Sequence, residues 1–448
     1  MCFLAAGLGS ISLALPGRFS GPRGDAGNGW DAPIPGFVGP DGDGVIADPD
    51  FFSEVNVINP RFVGWAASVA AYVPSGQAIQ ADFADPSRAL GPVTGNHFNI
   101  VSLGDVPTPP GTPGSLTLGF DPPIGNGEGP DFAVFENGFV SMGGTGVAGQ
   151  IFGELCFVEV SSDGVHFARF PSRGGQSGPV GAYGTIDATR HFGLAGKHVN
   201  SYATGESWGT PFDLEWLHDH PLILSGLVDR ARITHIRLVD VVGSGHVVDS
   251  CGQALYDPWL TFGSGGADIE AVGVLHQHPV VASPPLLQRV WSRQGGYDVR
   301  LRDLCREEID PRAGAGGAVV LQFDRPVEPG AGFAVSLSSG TFAGVSAENN
   351  LLILTYSDLP DGACAHWTVG GVRAPGGMET TLPIRFQFCR LVGDVTRSGA
   401  VGMADVAALV DRLGGPASSL PEADLHPDGA VDRQDLALLL SRLGSVLP

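Results

Sequence analysis

FVEVSSDGVHFARF (157–170) sets the texture of most of the chain. Val158 and Val160 alternate with Glu159, Asp163-Gly164 supplies a two-residue turn, and Val165 and Phe167 then resume the apolar rhythm. Side chains two apart share one face of a strand, so this spacing predicts a β-hairpin. The same texture runs outward from it. SLTLGF (115–120), FAVFENGF (132–139) and ITHIRLVDVVG (233–243) are further strand-like runs, set between turns rich in Gly, Pro, Asp and Asn. Helical periodicity is essentially missing from Asp31 to His278, which predicts a two-sheet sandwich for residues 21–278.

Composition agrees. A chain of 448 residues is too long for one ordinary core, so two or three domains are expected. The 67 glycines and 35 prolines punctuate short apolar runs and form no low-complexity tract. With 47 acidic against 25 basic residues the formal net charge is −22, which repels polyanions and argues against a nucleic-acid partner. Calcium and neutral glycans suit such a surface better. Lys197 is the sole lysine.

MCFLAAGLGSISLAL (1–15) has the apolar, small-residue character of a signal-peptide core without its basic start. We read 1–20 as a leader remnant, the alternative being a buried terminal element. The expected location is therefore secreted or at the cell surface. No other segment approaches the roughly 20 apolar residues of a membrane span. Cysteines stand at 2, 156, 251, 305, 364 and 389. Their spacing fits no zinc pattern, and a disulfide among Cys305, Cys364 and Cys389 is open if the chain is exported.

PVVASPPLLQ (279–288) marks a domain edge. Beyond it VWSRQGGYDVRL, GAVVLQFDRPVEPG, FAVSLSSGTF, NNLLILTYSDLPDG and IRFQFCRL give five strand-like runs, a second β-unit over 279–390.

The last 58 residues change character. GDVTRSGAVGMADVAALVDRLG (393–414) realigns, 30 residues on, with ADLHPDGAVDRQDLALLLSRLG (423–444). Val406, Leu409, Val410 and Leu413 match Leu436, Leu439, Leu440 and Leu443 at helical spacing. Each copy reads as a twelve-residue loop followed by an amphipathic helix. Oxygen-bearing residues fall at loop positions 1, 3, 5 and 12, and glycine falls at 6. Calcium needs such a layout, because it takes six to eight oxygens at about 2.3–2.6 Å and the chain must turn sharply to surround it. The first loop offers Asp394, Thr396, Ser398, the Ala400 carbonyl and Asp405. The second offers Asp424, Asp428, the Ala430 carbonyl, Asp432 and Asp435, with His426 off-pattern at position 3. Two carboxylates against four predict weaker binding in the first loop.

On these residues, 391–448 resembles the type I dockerin module, a small helical unit with two EF-hand-like calcium loops, each closed by Asp. The resemblance implies a cohesin-like partner. Partner choice in that family falls to residues before the closing Asp, here Met403 and Ala404 in one copy and Arg433 and Gln434 in the other. Their difference argues against symmetric dual binding. GPDFAVFENGF (129–139), VEVSSDGVHFARFP (158–171), GAYGTIDAT (181–189), LAGKH (194–198), YDPW (256–259) and GGADIEAVGVL (265–275) together resemble secreted bacterial surface proteins of planctomycete and myxobacterial type. ADIEAVGVL also looks like the closing strand of galactose-binding-like jelly rolls, which implies a jelly-roll-like β-sandwich that binds carbohydrate or adheres. Residues 279–390 resemble the immunoglobulin-like spacers that precede dockerins. The expected fold is mainly β: a jelly-roll-like sandwich, an Ig-like sandwich and a dockerin.

No GxSxG elbow, HExxH helix or P-loop occurs, and no pair of acids stands out for glycoside hydrolysis. We therefore expect a non-enzymatic, calcium-binding surface protein. The alternative is an enzyme or accessory factor of polysaccharide catabolism tethered through its dockerin. Asp131, Glu136, Asp240, Asp249, Asp257, Asp268 and Glu270 read as turn residues and strand-end caps, a second metal site being the alternative. Trp208, Trp216 and Trp259 read as core, with a sugar-stacking platform as the sharper reading. His218 and His220 read as a solvated loop.

Overall fold

A computed structural model describes Ile58 and residues 61–447, apart from 95, 97, 142, 145, 199, 202–205, 208, 280–283, 302–307 and 315. The leader expectation for 1–20, Cys2, Cys305 and Trp208 lie outside the described residues. The fold is mainly β, with several antiparallel sheets and few helices.

Two sheets make the first unit. One runs Gly64–Trp65, Asp268–Val274, Phe132–Glu136, Thr210–Phe212, and the other Leu194–Ala195, Cys156–Ser161, Ile233–Asp240, Ser115–Ile124, Ser68–Val73. Leu118, Val158, Ile236 and Leu238 from the second meet Phe132, Val134, Ile269 and Val272 from the first in one core. The two strands expected at 157–170 do pair, Glu159 with Arg169 and Val160 with Ala168, but the connection runs from Ser162 to Phe167 rather than through a two-residue turn, and Val165 lies exposed in it instead of resuming the strand. Gly164 takes φ +74° in the turn, where Asp163 Oδ1 accepts from the Val165 and His166 amides at 2.8 and 2.9 Å.

One detail departs from simple alternation. Every residue of Cys156–Ser161 is buried, the polar ones included. Phe157 is covered by a second cluster with Leu155, Leu194 and Val241. Glu159 is sealed between two arginines, accepting from Arg169 Nε at 2.8 Å and Arg237 Nε at 2.5 Å. A carboxylate flanked by two guanidiniums can be buried at little cost because its charge is met in place.

The second unit pairs a five-stranded sheet (Tyr297–Arg300, Leu287–Gln294, Gly317–Phe323, Leu351–Ser357, Thr341–Glu348) with a four-stranded one (Ile309–Asp310, Ile384–Arg390, Cys364–Arg373, Glu328–Leu337). Trp367 lies fully buried between them, stacked on Phe386 at 5.6 Å and edge-on to Tyr356 at 5.8 Å. Its strand, Cys364–Arg373, was not among the five expected runs, because Gly370-Gly371 breaks the apolar rhythm there. Cys364 and Cys389 face each other across neighbouring strands and form a disulfide. Cys251 is also disulfide-bonded, whereas Cys156 is a free, buried thiol.

The tail adds helices Met403–Val410 and Arg433–Leu440. Its core, with Leu409, Leu425 and Leu439, runs on into Ile309, Cys389 and Leu391 of the second sheet pair. Among the described residues no helix is long and apolar enough to cross a membrane.

Candidate functional site: the paired C-terminal loops

The two loops are wired alike. Asp394 accepts from the Ser398 and Gly399 amides at 2.9 and 2.8 Å, and Asp424 from the Asp428 and Gly429 amides at 3.2 and 3.1 Å. Asp405 closes the first loop by accepting from the Thr396 and Gly402 amides, each at 2.8 Å. Asp435 closes the second from the His426 and Asp432 amides at 2.8 and 2.7 Å. The position-6 glycines, Gly399 and Gly429, take φ of +88° and +97°, a region that an L side chain enters only at a cost.

Burial follows the same repeat. From Val401 to Pro416 and from Val431 to Val446, each residue matches its counterpart 30 positions on as buried, half-buried or exposed. Leu409 and Leu439 face the core, while Val410, Leu413, Leu440 and Leu443 lie exposed. The apolar set read from the sequence thus divides between an inner and an outer face.

The first carboxylate of each loop feels both burial and the charges of its fellow acids. Burial raises the Asp394 carboxyl, and the Asp405 charge opposite raises it further. Burial raises Asp424 likewise, with Asp435 and Asp428 facing it. Position 3 holds the Thr396 hydroxyl, which donates to Asp405 at 2.8 Å, and position 5 the Ser398 hydroxyl, which reaches the Ala400 carbonyl at 3.1 Å. In the second loop Asp428 accepts from the Ala430 amide and Asp432 caps its helix through the Gln434 amide. His426 stands out in solvent, its ring 3.7 Å from Asp428, so it contributes mainly its backbone. All donors are oxygens, the chemistry a hard cation selects. Among the described residues no three His, Cys, Asp or Glu side chains already stand as a closed ligand set. Binding in these loops therefore requires the carboxylates to close on the ion.

A second feature lies between the sheet pairs. A cleft of about 480 Å³ is lined by Arg169, Phe192, Trp216, His218 and His220 of the first unit and Gln288 of the second, among others. Trp216 rests on Phe192 at 4.7 Å and edge-on to Phe170 at 6.2 Å, so it is anchored to the core with one edge toward the cleft. Trp259 is engaged elsewhere, its indole N–H bonded to the Val106 carbonyl. The histidines do not sit in a solvated loop. His218 Nδ1 contacts the Glu215 carbonyl at 2.9 Å, His220 Nδ1 accepts from the Leu222 amide at 3.2 Å, and Asp219 between them pairs with Arg289 of the second unit. This loop is an inter-unit contact, which the sequence could not reveal because Arg289 lies 70 residues on.

The N-terminal acids divide. Asp131 ties the Gly127 and Leu214 amides just before its strand, and Asp249 holds a turn through the Gly174, Cys251 and Gln253 amides, as expected of turn and strand-end residues. Glu270 departs from that reading: it lies within the strand Asp268–Val274 and accepts from the Thr94 amide. Glu136, Asp240, Asp257 and Asp268 gather instead at one end of the sheets, each acting on its neighbours as a like charge.

No protein-family model matches this chain, and a search of curated proteins finds no match either.

Proposed function

We propose that the chain is an exported, calcium-binding, non-enzymatic modular protein. Its dockerin-like tail anchors it to a cohesin-like domain, and its first, jelly-roll-like sandwich binds or adheres through the cleft beside Trp216. The Ig-like second unit holds the two apart. The observation that carries this reading is the thirty-residue repeat of loop wiring together with an outer face of Val410, Leu413, Leu440 and Leu443. An apolar face repeated in register across two helices suits a protein partner better than solvent.

The disulfides at Cys364–Cys389 and at Cys251 support an oxidising compartment. The cleft supports binding more than turnover. Its carboxylates are occupied: Glu215 is held by Arg230 at 2.5 Å, Asn126 at 2.9 Å and Gln288 at 3.1 Å, and Asp219 by Arg289. A hydrolase would need two acids free to exchange protons with substrate.

The test is calorimetric titration of the full chain against a panel of cohesin domains, in calcium and in EGTA, alongside a glycan array and chromogenic polysaccharides. Calcium-dependent cohesin binding is expected, with glycan retention and no colour release. Absence of binding to the whole panel in calcium overturns the anchor, and polysaccharide turnover overturns the non-enzymatic reading.

A further inference from the structure

One end of the first sheet pair is acidic and dry. Glu136 ends the strand Phe132–Glu136, and Asp268 begins the antiparallel strand beside it. On the facing sheet Asp240 ends Ile233–Asp240 opposite Cys156, and Glu154 lies two residues before that partner strand begins. Two loop residues, Asp105 and Asp257, complete the group. All six carboxylates are at most 3 % exposed.

Peptide donors hold part of this set. Glu136 Oε2 accepts from the Gly138 amide at 2.9 Å, Asp240 Oδ1 from Ala267 at 2.9 Å, and Asp257 Oδ2 from Leu155 at 2.8 Å. The oxygens left over are the informative ones. Glu136 Oε1, Asp240 Oδ2 and Asp268 Oδ1 are sealed from solvent and have no hydrogen-bond partner. The charges that face them are acidic: Asp268 and Asp240 face Glu136, and Asp105 and Asp268 face Asp240.

Thr261 ties two further members of the group together. Its hydroxyl lies 2.7 Å from Asp105 Oδ2 and 2.6 Å from Glu154 Oε1 while accepting from the Gly266 amide at 3.2 Å. A hydroxyl has one hydrogen, so it satisfies only one of these carboxylates. Asp105 Oδ2 also accepts from the Thr261 amide at 2.7 Å, which leaves the hydroxyl hydrogen for Glu154. At Gly243 the backbone leaves its space to a carboxylate: a Cβ there would fall 1.8 Å from Asp257 Oδ1.

Six carboxylates cannot all ionise in a dry site unless something positive joins them, since each uncompensated buried charge costs several kcal/mol. The donors are oxygens. Cys156 beside them offers no thiolate, because burial and the charges of Glu136, Asp240 and Asp257 keep its thiol protonated. That chemistry excludes a soft metal and selects a hard divalent ion.

We propose that this end of the first sheet pair is a calcium site, in which Glu136 Oε1, Asp240 Oδ2 and Asp268 Oδ1 close on one ion that cross-links the two facing sheets. It stands apart from the C-terminal loops and from the function proposed for them. Binding here, as there, draws the carboxylates inward.

The experiment uses the full chain with both C-terminal loops disabled by Asp394→Ala, Asp405→Ala, Asp424→Ala and Asp435→Ala. Bound calcium is counted by equilibrium dialysis with metal analysis, and melting is followed by calorimetry in calcium and in EGTA. This chain is expected to retain about one ion, and calcium to raise the melting of its first unit by about 5 °C. Adding Asp240→Asn and Asp268→Asn should remove both effects. In EGTA the Asn pair should melt no lower than its parent, because an amide removes like charge without losing shape. An ion-free, EGTA-indifferent parent overturns the site and leaves a proton-sharing cluster, and so does an Asn pair that keeps the ion. Should the loop-disabled chain fail to fold, the count on the unaltered chain at saturating calcium decides: about three ions support the site and two or fewer overturn it.

Discussion

Val401 and Val431 hold each other's repeats together. The Val401 amide donates to the Ser445 carbonyl at 2.8 Å and its carbonyl accepts from Gly444 at 2.9 Å, both beyond the second helix. Val431 makes the same pair of bonds to Gly415 and Gly414, beyond the first helix, at 3.0 and 2.8 Å. Each loop is thereby stitched to the end of the other repeat's helix.

That stitching makes the loops one cooperative unit. Ordering one loop fixes the helix end that the other loop pairs with, so the second ion meets a site already in place. Calcium titration of the full chain should therefore show the first loop weakened when only the second is mutated. Asp424→Ala should lower the calcium-induced rise in melting temperature more than Asp394→Ala does, because it disables the loop with four carboxylates. Equal losses would contradict this ranking, and independent losses would contradict the coupling.

Arg312 gives a prediction at the joint between tail and second sheet pair. It is fully buried, pairs two-pronged with Asp310 at 2.9 and 3.0 Å, and donates to the Tyr297 and Ser292 carbonyls at 2.8 and 2.9 Å. Burial pushes Asp310 up, but the Arg312 charge and its hydrogen bonds win and hold it below the usual carboxylate range. The next residue, Ala313, donates to the Leu425 carbonyl in the second C-terminal loop at 2.7 Å. Arg312→Met strands Asp310 without its counter-charge, which costs about 3–5 kcal/mol. Chemical denaturation should show that loss. Adding Asp310→Asn should recover part of it, since the uncompensated charge is then gone.

His191 sets a pH dependence. It is fully buried, and burial lowers its imidazole to about 4, with the Lys197 charge adding to the effect. Lys197 itself is sealed inside, donating to the His191 carbonyl at 2.6 Å. A folded value below the unfolded one means that the unfolded chain takes the proton first. This contribution is therefore complete above the unfolded value of about 6.5 and is lost as pH falls toward 4. By pH 4 the loss is on the order of 3 kcal/mol. His191→Gln should remove one proton's worth of slope from stability against pH in this window. An unchanged slope would mean that the ring charges freely in the folded state.

Much of this was legible in the sequence for reasons the residues themselves give. The Asp163-Gly164 hairpin and the repeat at 393–414 and 423–444 depend on local spacing, and local spacing is what one chain displays. Cys364–Arg373 was hidden although Ala365, Trp367 and Val369 alternate with His366 and Thr368, because the run is short and is followed at once by Gly370-Gly371, a pair that reads as a turn. Asp105 and Glu154 were missed at the acidic end because neither lies in an acid-rich run. They reach the acidic end only through the tertiary fold, from far along the chain. The split of the seven acids into turn formers and cluster members was unreadable for the same reason: in either use an acid has partners that lie far along the chain.

The sharpest contrast between the two loops sits at position 9. Gly402 and Asp432 have nearly the same backbone, φ −142° and ψ −167° against φ −136° and ψ −162°. Nothing lies within 4 Å of a Cβ built on Gly402, so a side chain enters without strain. Gly402→Asp gives the first helix the cap that Asp432 provides for the second through the Gln434 amide at 2.7 Å. Glycine already caps almost as well, so without calcium the change is worth only a few tenths of a kcal/mol. With calcium it adds a third carboxylate to the weaker loop, and affinity there should rise by about tenfold or more. Titration with a fluorescent calcium competitor, run on Gly402→Asp and on the same change combined with Asp405→Ala, separates the two effects. A gain that survives Asp405→Ala would be mere charge attraction, whereas a gain that disappears with it would come from a ligand acting inside the loop.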